Sequence, residues 1–484
     1  MSSLRLSKWS RIAIVYVIAV AIITVAGCIF LLCQKQVLTI TGAGSSVIEV
    51  NASEFNNFRA YAHILAVFRP GVYVSEKATR VISVGLLKYI GCDVKVFRSL
   101  SSLRLSKEGL IILDISDLLS QKDVLDYLVR ITKHVRRVAI MVLNVDRNVH
   151  AAKRVIELMT KFYSTVGTRL LLPLSPNCTS KVRSCKIHEG VLKAQALVFT
   201  INPNGIIIVD DLVDFPQTLI LILRWSKLIP EPNSTDSRIV RFLGAMSIYN
   251  VKGFKYIQSI GWIVAKMHGK VCGEVTGYMA IKVDYYYANV TLPSGIIYHG
   301  WLIHVVHVAK GYRTICNGVT IHHYPKIFIT KIDWLTEEYP GQILDDWQPK
   351  NFGTAAEITY TIVWEAGASG GVEPSAEVKY EISKSITTPN GPYYEWYDIS
   401  DPPWGVAAVK HVVQVPQDYD ISKLDNVLFT VEPSSVGYLD PTKPGGVLPM
   451  IVKQYFKTIL NTGDEAEKNF TVELWPNTVT VIKG

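Results

Sequence analysis

The stretch Ile12–Cys33, IAIVYVIAVAIITVAGCIFLLC, constrains this chain more than any other: it runs 22 residues without a charge. As a helix it extends about 33 Å, enough to cross a hydrocarbon core. Arg5, Lys8 and Arg11 precede it, Lys35 follows it, and the first acidic residue is Glu49. Basic flanks stay in the cytoplasm, which puts residues beyond the stretch outside the cell membrane.

Two other readings of the stretch compete. A cleaved secretory signal has a shorter apolar run, about 7–15 residues, whereas this run continues through Ile29, Phe30, Leu31 and Leu32. Val25-Ala26-Gly27-Cys28 resembles a lipobox and makes Cys28 a lipidation candidate, although the residues after it stay apolar. The adopted reading is an uncleaved single-pass signal anchor, with residues 1–11 cytoplasmic and the bulk of the chain extracellular.

The rest of the 484 residues is too long for one ordinary domain. Residues 34–74 read as a connector. Over 75–228 helical faces alternate with short apolar strands such as Leu110–Leu113 and Val138–Leu143, the pattern of an α/β domain with a parallel, flavodoxin- or Rossmann-like sheet. Asn202-Pro203-Asn204 predicts a hairpin turn at the sheet edge. Pro230–Thr235 marks a linker, 229–237. From 238 to 484 the period becomes two: Ile358, Tyr360, Ile362 and Trp364 alternate with polar residues, as do Val378, Tyr380 and Ile382, with Ala366–Gly371 as the hairpin connection between them. Met279, Ile281, Val283, Tyr285 and Tyr287 share one face of a long strand. This region predicts an all-β sandwich of jelly-roll type.

A resemblance attaches to the first of these regions. Tyr89-Ile90-Gly91-Cys92-Asp93-Val94 after a helix, a strand ending at Asp114, and Leu118-Leu119-Ser120 opening a helix resemble a family of membrane-attached flavodoxin-like domains related to class I amidotransferases. It covers residues 75–142. Catalytic relatives carry a nucleophile in an elbow after a central strand. Here Asn144-Val145-Asp146 follows the best candidate strand, so the resemblance implies a non-catalytic relative used for binding or assembly.

Charge is uneven: residues 37–228 carry a balance of +10 and residues 229–484 one of −5. The basic residues are scattered and match no recognised nucleic-acid motif, which argues against nucleic acid as a partner. Five sequons, at Asn51, Asn177, Asn233, Asn289 and Asn469, fit an exported glycoprotein. In an oxidising compartment Cys178 with Cys185, and Cys272 with Cys316, are candidate disulfides, leaving Cys92 as a buried thiol.

Candidate sites are sparse. His304 and His322 become diagonal neighbours if strands 295–308 and 318–330 pair about residue 312, a geometry that suits a divalent metal. Asp114 and Asp117, and Asp210 and Asp211, follow strands, where α/β proteins bind ligands. Tyr394, Trp396 and Trp404 sit in the densest aromatic stretch and are candidates for stacking on sugars. No catalytic set and no cofactor motif emerges. The expectation is a membrane-anchored surface glycoprotein, non-enzymatic, with a structural, adhesive or filament-forming role. Its partners are other surface proteins, copies of itself, or glycans. A hydrolase acting on glycans or peptides, and a membrane-tethered accessory for transport or assembly, are the alternatives.

Overall fold

Short, wholly apolar runs bounded by polar turns form the centre of the fold. The computed structural model describes residues 65–105, 107–120, 123–175, 186–212, 214–229, 248–273, 275–350, 352–355, 358–369, 373–384, 391–425, 427–443 and 450–474. The stretch 12–33 with Cys28, and also Asn51, Asn177, Cys178, Cys185 and Asn233, lie outside the described residues. None of the described helices is long and apolar enough to cross a membrane.

In the first part, β1 (Gly71–Ser75), α1 (Val84–Tyr89), β2 (Asp93–Phe97), β3 (Gly109–Asp114), α2 (Ile115–Leu119), α3 (Val124–His134), β4 (Val138–Leu143) and α4 (Val149–Thr165) follow one another. The strands are parallel in the order β2-β1-β3-β4. Val124, Leu128 and Ile131 turn α3 onto one face of the sheet, and Val155, Met159 and Phe162 do the same for α4. Leu87 of α1 packs on the opposite face. Cover on both faces is why β3 and β4 are apolar without alternation. Asn148 caps α4 by accepting from the amides of His150 and Ala151.

The chain then gives β5 (Pro173–Leu174), α5 (Glu189–Lys193), β6 (Ala196–Ile201), β7 (Gly205–Val209), α6 (Phe215–Trp225), β8 (Ile248–Lys252) and β9 (Lys255–Val264). The hairpin about Asn202-Pro203-Asn204 forms, but it does not end the sheet. β7 pairs in parallel with β9, from Gly205 opposite Ser259 to Val209 opposite Ile263. Beyond β9 the same sheet takes in β10 (Gly277–Thr291) and β11 (Ile297–Gly311).

The remaining strands are β12 (Arg313–Cys316), β13 (Val319–His322), β14 (Pro325–Asp333), β15 (Gln342–Gln348), β16 (Gly353–Ala355), β17 (Ile358–Ser369), β18 (Glu373–Lys384), β19 (Tyr393–Asp398), β20 (Val406–Gln414), β21 (Phe429–Val431), β22 (Ser434–Leu439), β23 (Met450–Leu460) and β24 (Glu465–Leu474). Among the described residues a 12-stranded mixed sheet runs β15-β22-β11-β10-β9-β7-β6-β4-β3-β1-β2, with β21 also on β11. A 7-stranded sheet runs β16-β19-β20-β14-β23-β24-β5, and the expected hairpin β17–β18 pairs with β8 in a third sheet.

The expected fold class, an α/β domain followed by a separate jelly-roll-like sandwich, is therefore corrected, and the expected transmembrane helix falls outside the described residues. Among the described residues strand predominates over helix, and one sheet runs through both parts. The physical reason lies in β7, buried on both faces, whose outer backbone groups need a hydrogen-bonding partner. β9 supplies it. The composition of the intervening linker carries no information about that pairing.

The large sheet and the 7-stranded sheet pack face to face around Trp262, Tyr285, Trp301, Phe328, Phe456 and Phe470. A polar layer lies within this core. His307 Nε2 is 2.8 Å from Thr458 Oγ1, and burial pushes the imidazoles of His307 and His411 down to about 3, keeping both neutral.

Cys272 and Cys316 form a disulfide across a separation of 44 residues, and Cys92 is a free buried thiol pushed up to about 12 by burial. Loop-closure entropy for such a span is worth about 4 kcal/mol. Reduction should therefore shift the denaturant midpoint clearly downward in a comparison of oxidised and reduced protein, and Cys272→Ser/Cys316→Ser should reproduce the shift.

Candidate functional site

The strongest electrostatic feature begins in β10. Its odd positions fill the core, which turns Lys282 and Asp284 to the other face. β11 sets His304 directly opposite Asp284, β9 sets Ser259 opposite it on the other side, and the turn between β21 and β22 brings Glu432. Lys282 Nζ donates to Asp284 Oδ2 at 2.8 Å, and Ser259 Oγ donates to Oδ1. His304 bridges two carboxylates, with Nδ1 3.6 Å from Asp284 and Nε2 3.3 Å from Glu432.

Asp284, His304 and Glu432 are all buried. Burial alone pushes the Asp284 carboxyl up, but the Lys282 ammonium and His304 outweigh it and hold it below the usual range. Burial likewise pushes His304 down, and the two carboxylates reverse this and raise it. A protonated His304 and Lys282 balance Asp284 and Glu432. Such an enclosed, neutralised group fixes the register of three strands and offers no access to a substrate.

The metal geometry expected for His304 and His322 is corrected. β11 does not fold back on the 318–330 segment. Instead β12 and β13 form a short ribbon with His322 opposite Arg313, and His322 Nδ1 lies 2.8 Å from Asp425 Oδ1. Among the described residues no three His, Cys, Asp or Glu side chains are placed to hold a metal.

The strand-end aspartates serve local structure. Asp114 and Asp117 form the capping box of α2, with Asp117 also accepting from Ser75 and Asp114 from Asn144. Asn144 stands directly after β4 with φ 61°, in the left-handed region, and its side chain is an amide. Asp210 accepts from Trp262 Nε1 at 2.7 Å and pairs with Lys468, while Asp211 pairs with Lys266 at 2.7 Å.

The aromatic candidates divide. Trp396 is 4% exposed and belongs to the core, and Tyr394 packs edge-on against Phe429 at 6.1 Å. Trp404, on a tight turn at Pro402–Trp404, is 53% exposed. Sequence reasoning did not single out Phe352, Tyr397 and Ile399, which are also exposed. The Phe352 and Tyr397 rings lie 5.2 Å apart, and Tyr397 donates to Glu395 at 2.9 Å. Strand parity was the available signal: once Trp396 faces inward, Tyr397 must face out. The run Tyr393–Tyr397 lacks the polar alternation that sets that parity.

No family model matches the chain, and no curated protein matches it. Among solved structures it is similar to Clostridium perfringens delta-toxin, at 10% identity and a TM-score of 0.27, over 45% of this chain and 86% of that one. A pore forming protein gives 9% identity and 0.25, over 45% and 90% of the two chains. The Clostridium perfringens NetB toxin in its membrane inserted form gives 11% and 0.20, over 44% and 91%. Likenesses at these scores establish neither fold nor function here.

A cavity of about 340 Å³ is lined by Leu103, Arg104, Leu105, Arg130, Ile131 and His134. It brings together two guanidinium groups, the His134 imidazole and apolar side chains, with no carboxylate among them.

Proposed function

We propose that this chain is an extracellular surface protein, held at the cell membrane through its apolar N-terminal stretch, that makes contacts with other surface proteins or copies of itself and catalyses no reaction. The exposed ring pair of Phe352 and Tyr397 at the β16–β19 edge of the 7-stranded sheet, with Ile399 and Trp404 also exposed on the connection that follows β19, carries this reading. Large apolar side chains gathered on a surface mark a contact site. The Cys272–Cys316 disulfide fits an oxidising exterior. The polar clusters support it too, because Asp114, Asp117, Asp284 and Glu432 are engaged by neighbouring side chains or backbone rather than converging on an open pocket.

Electron microscopy of the purified full-length protein tests the reading. Ordered assemblies are expected, and Tyr397→Ser/Trp404→Ser should convert them to discrete particles without lowering the melting temperature. Discrete monomers of the unaltered protein under all conditions sink the assembly role.

A further inference from the structure

We propose that Asn289 carries an N-linked glycan. The inference rests on the extracellular placement argued above and adds the position at which the chain is modified.

Two of the sequons lie in described strands, and the structure treats them differently. Asn289 is near the end of β10, close to the connection with β11. It shares the parity of Tyr285 and Tyr287, which fill the core, but is itself exposed. Thr291, the hydroxyl residue of its sequon, is exposed as well. The Tyr287 hydroxyl donates to Asn289 Oδ1 and also meets His299 Nδ1. One phenol proton cannot serve both, so the His299 Nδ1 proton is donated to the phenol oxygen. Burial keeps His299 below its ordinary value and therefore neutral. The Tyr287 contact engages Oδ1 and not Nδ2, the atom a glycan joins. The engaged carbonyl is retained in a glycosylated carboxamide.

Asn469 is the contrast. It sits mid-strand in β24, half-buried, with Nδ2 donating to Glu467 at 3.1 Å. Its sequon threonine, Thr471, is 3% exposed. A glycan-transferring enzyme that must engage both residues of the triplet can reach the first sequon and not the second.

The donor is a lipid-phosphate-linked oligosaccharide. A bond forms between Asn289 Nδ2 and the anomeric carbon, and the anomeric C–O bond to phosphate breaks. The lipid phosphate leaves, and one Nδ2 proton is lost to base.

Glycopeptide mass spectrometry of the full-length chain from its own cells decides the matter. The Asn289 peptide should carry a glycan and the Asn469 peptide none. Asn289→Gln and Thr291→Val should each abolish the glycan at 289, and Asn469→Gln should leave the glycan pattern unchanged. A glycan on Asn469 overturns the accessibility argument. An unmodified Asn289 overturns the assignment, and the remaining sequons show how far the failure reaches. Glycans on Asn51, Asn177 or Asn233 leave the extracellular placement standing, whereas no glycan anywhere removes the glycoprotein reading as well.

Discussion

Asp284→Ala is expected to destabilise the protein by about 3–5 kcal/mol, because it leaves the buried His304 and the partly buried Lys282 beside a single carboxylate. The drop should appear in the urea midpoint with little change in its slope. Replacing all of Lys282, Asp284, His304 and Glu432 with apolar residues of similar volume should cost far less than the single change. A single variant no worse than the fourfold one would show that pairing within the cluster is unimportant.

The same groups give the pH profile its signs. His304 is raised, so its contribution is complete below its ordinary 6.5 and is lost as pH rises through the raised value. Asp284 is lowered, so its contribution is present above 3.8 and is lost as pH falls toward its depressed value. His307 and His411 sit near 3 when folded, so the unfolded chain takes up protons first as pH falls below 6.5. Stability measured by thermal unfolding should therefore peak near neutrality. It should fall on the acid side from about 6.5 downward and more gently on the alkaline side.

Trp262→Ala is the second large effect, at about 3–5 kcal/mol. The ring is fully buried in β9 at the seam with β7, stacked on Phe470 at 5.8 Å, with Lys468 4.5 Å from its centroid and His188 edge-on at 5.2 Å. Its loss removes material shared by the first and second parts of the large sheet. Helical signal, dominated by α3, α4 and α6, and core fluorescence should unfold together in the native chain and separate in the variant. Trp262→Phe keeps most of the packing but takes a donor from Asp210, and should cost about 1–3 kcal/mol.

The sequence was informative where periodicity has a single meaning. The faces of α3 and α4, the β17–β18 hairpin and the core face of β10 followed directly from spacing. The Asp284 cluster did not. Alternation along β10 assigns Lys282 and Asp284 to the face opposite Tyr285, and a charged face ordinarily meets water. The partners that engage this pair come from strands 255–264 and 297–311 and from the turn after residues 429–431, as Ser259, His304 and Glu432, and local pattern cannot encode which residues are brought beside it. The pairing of β7 with β9 was hidden for a similar reason, since turn-rich composition between two strands is silent about whether they meet. For the histidines the error was one of register: a short ribbon, β12–β13, intervenes where a long hairpin was assumed, and His322 is carried to Asp425.

The short strand β5 has a consequence for the order in which the chain is made. Leu174 pairs with Thr471 and Pro173 with Val472, so an edge of the 7-stranded sheet waits for nearly the last described residues. The large sheet waits in the same way for β22, which lies against β11. A chain emerging from its N-terminus cannot complete either sheet until residues beyond 430 have followed. Strands β1 to β4, β6 and β7 find partners among themselves, whereas closure of both sheets is a late event.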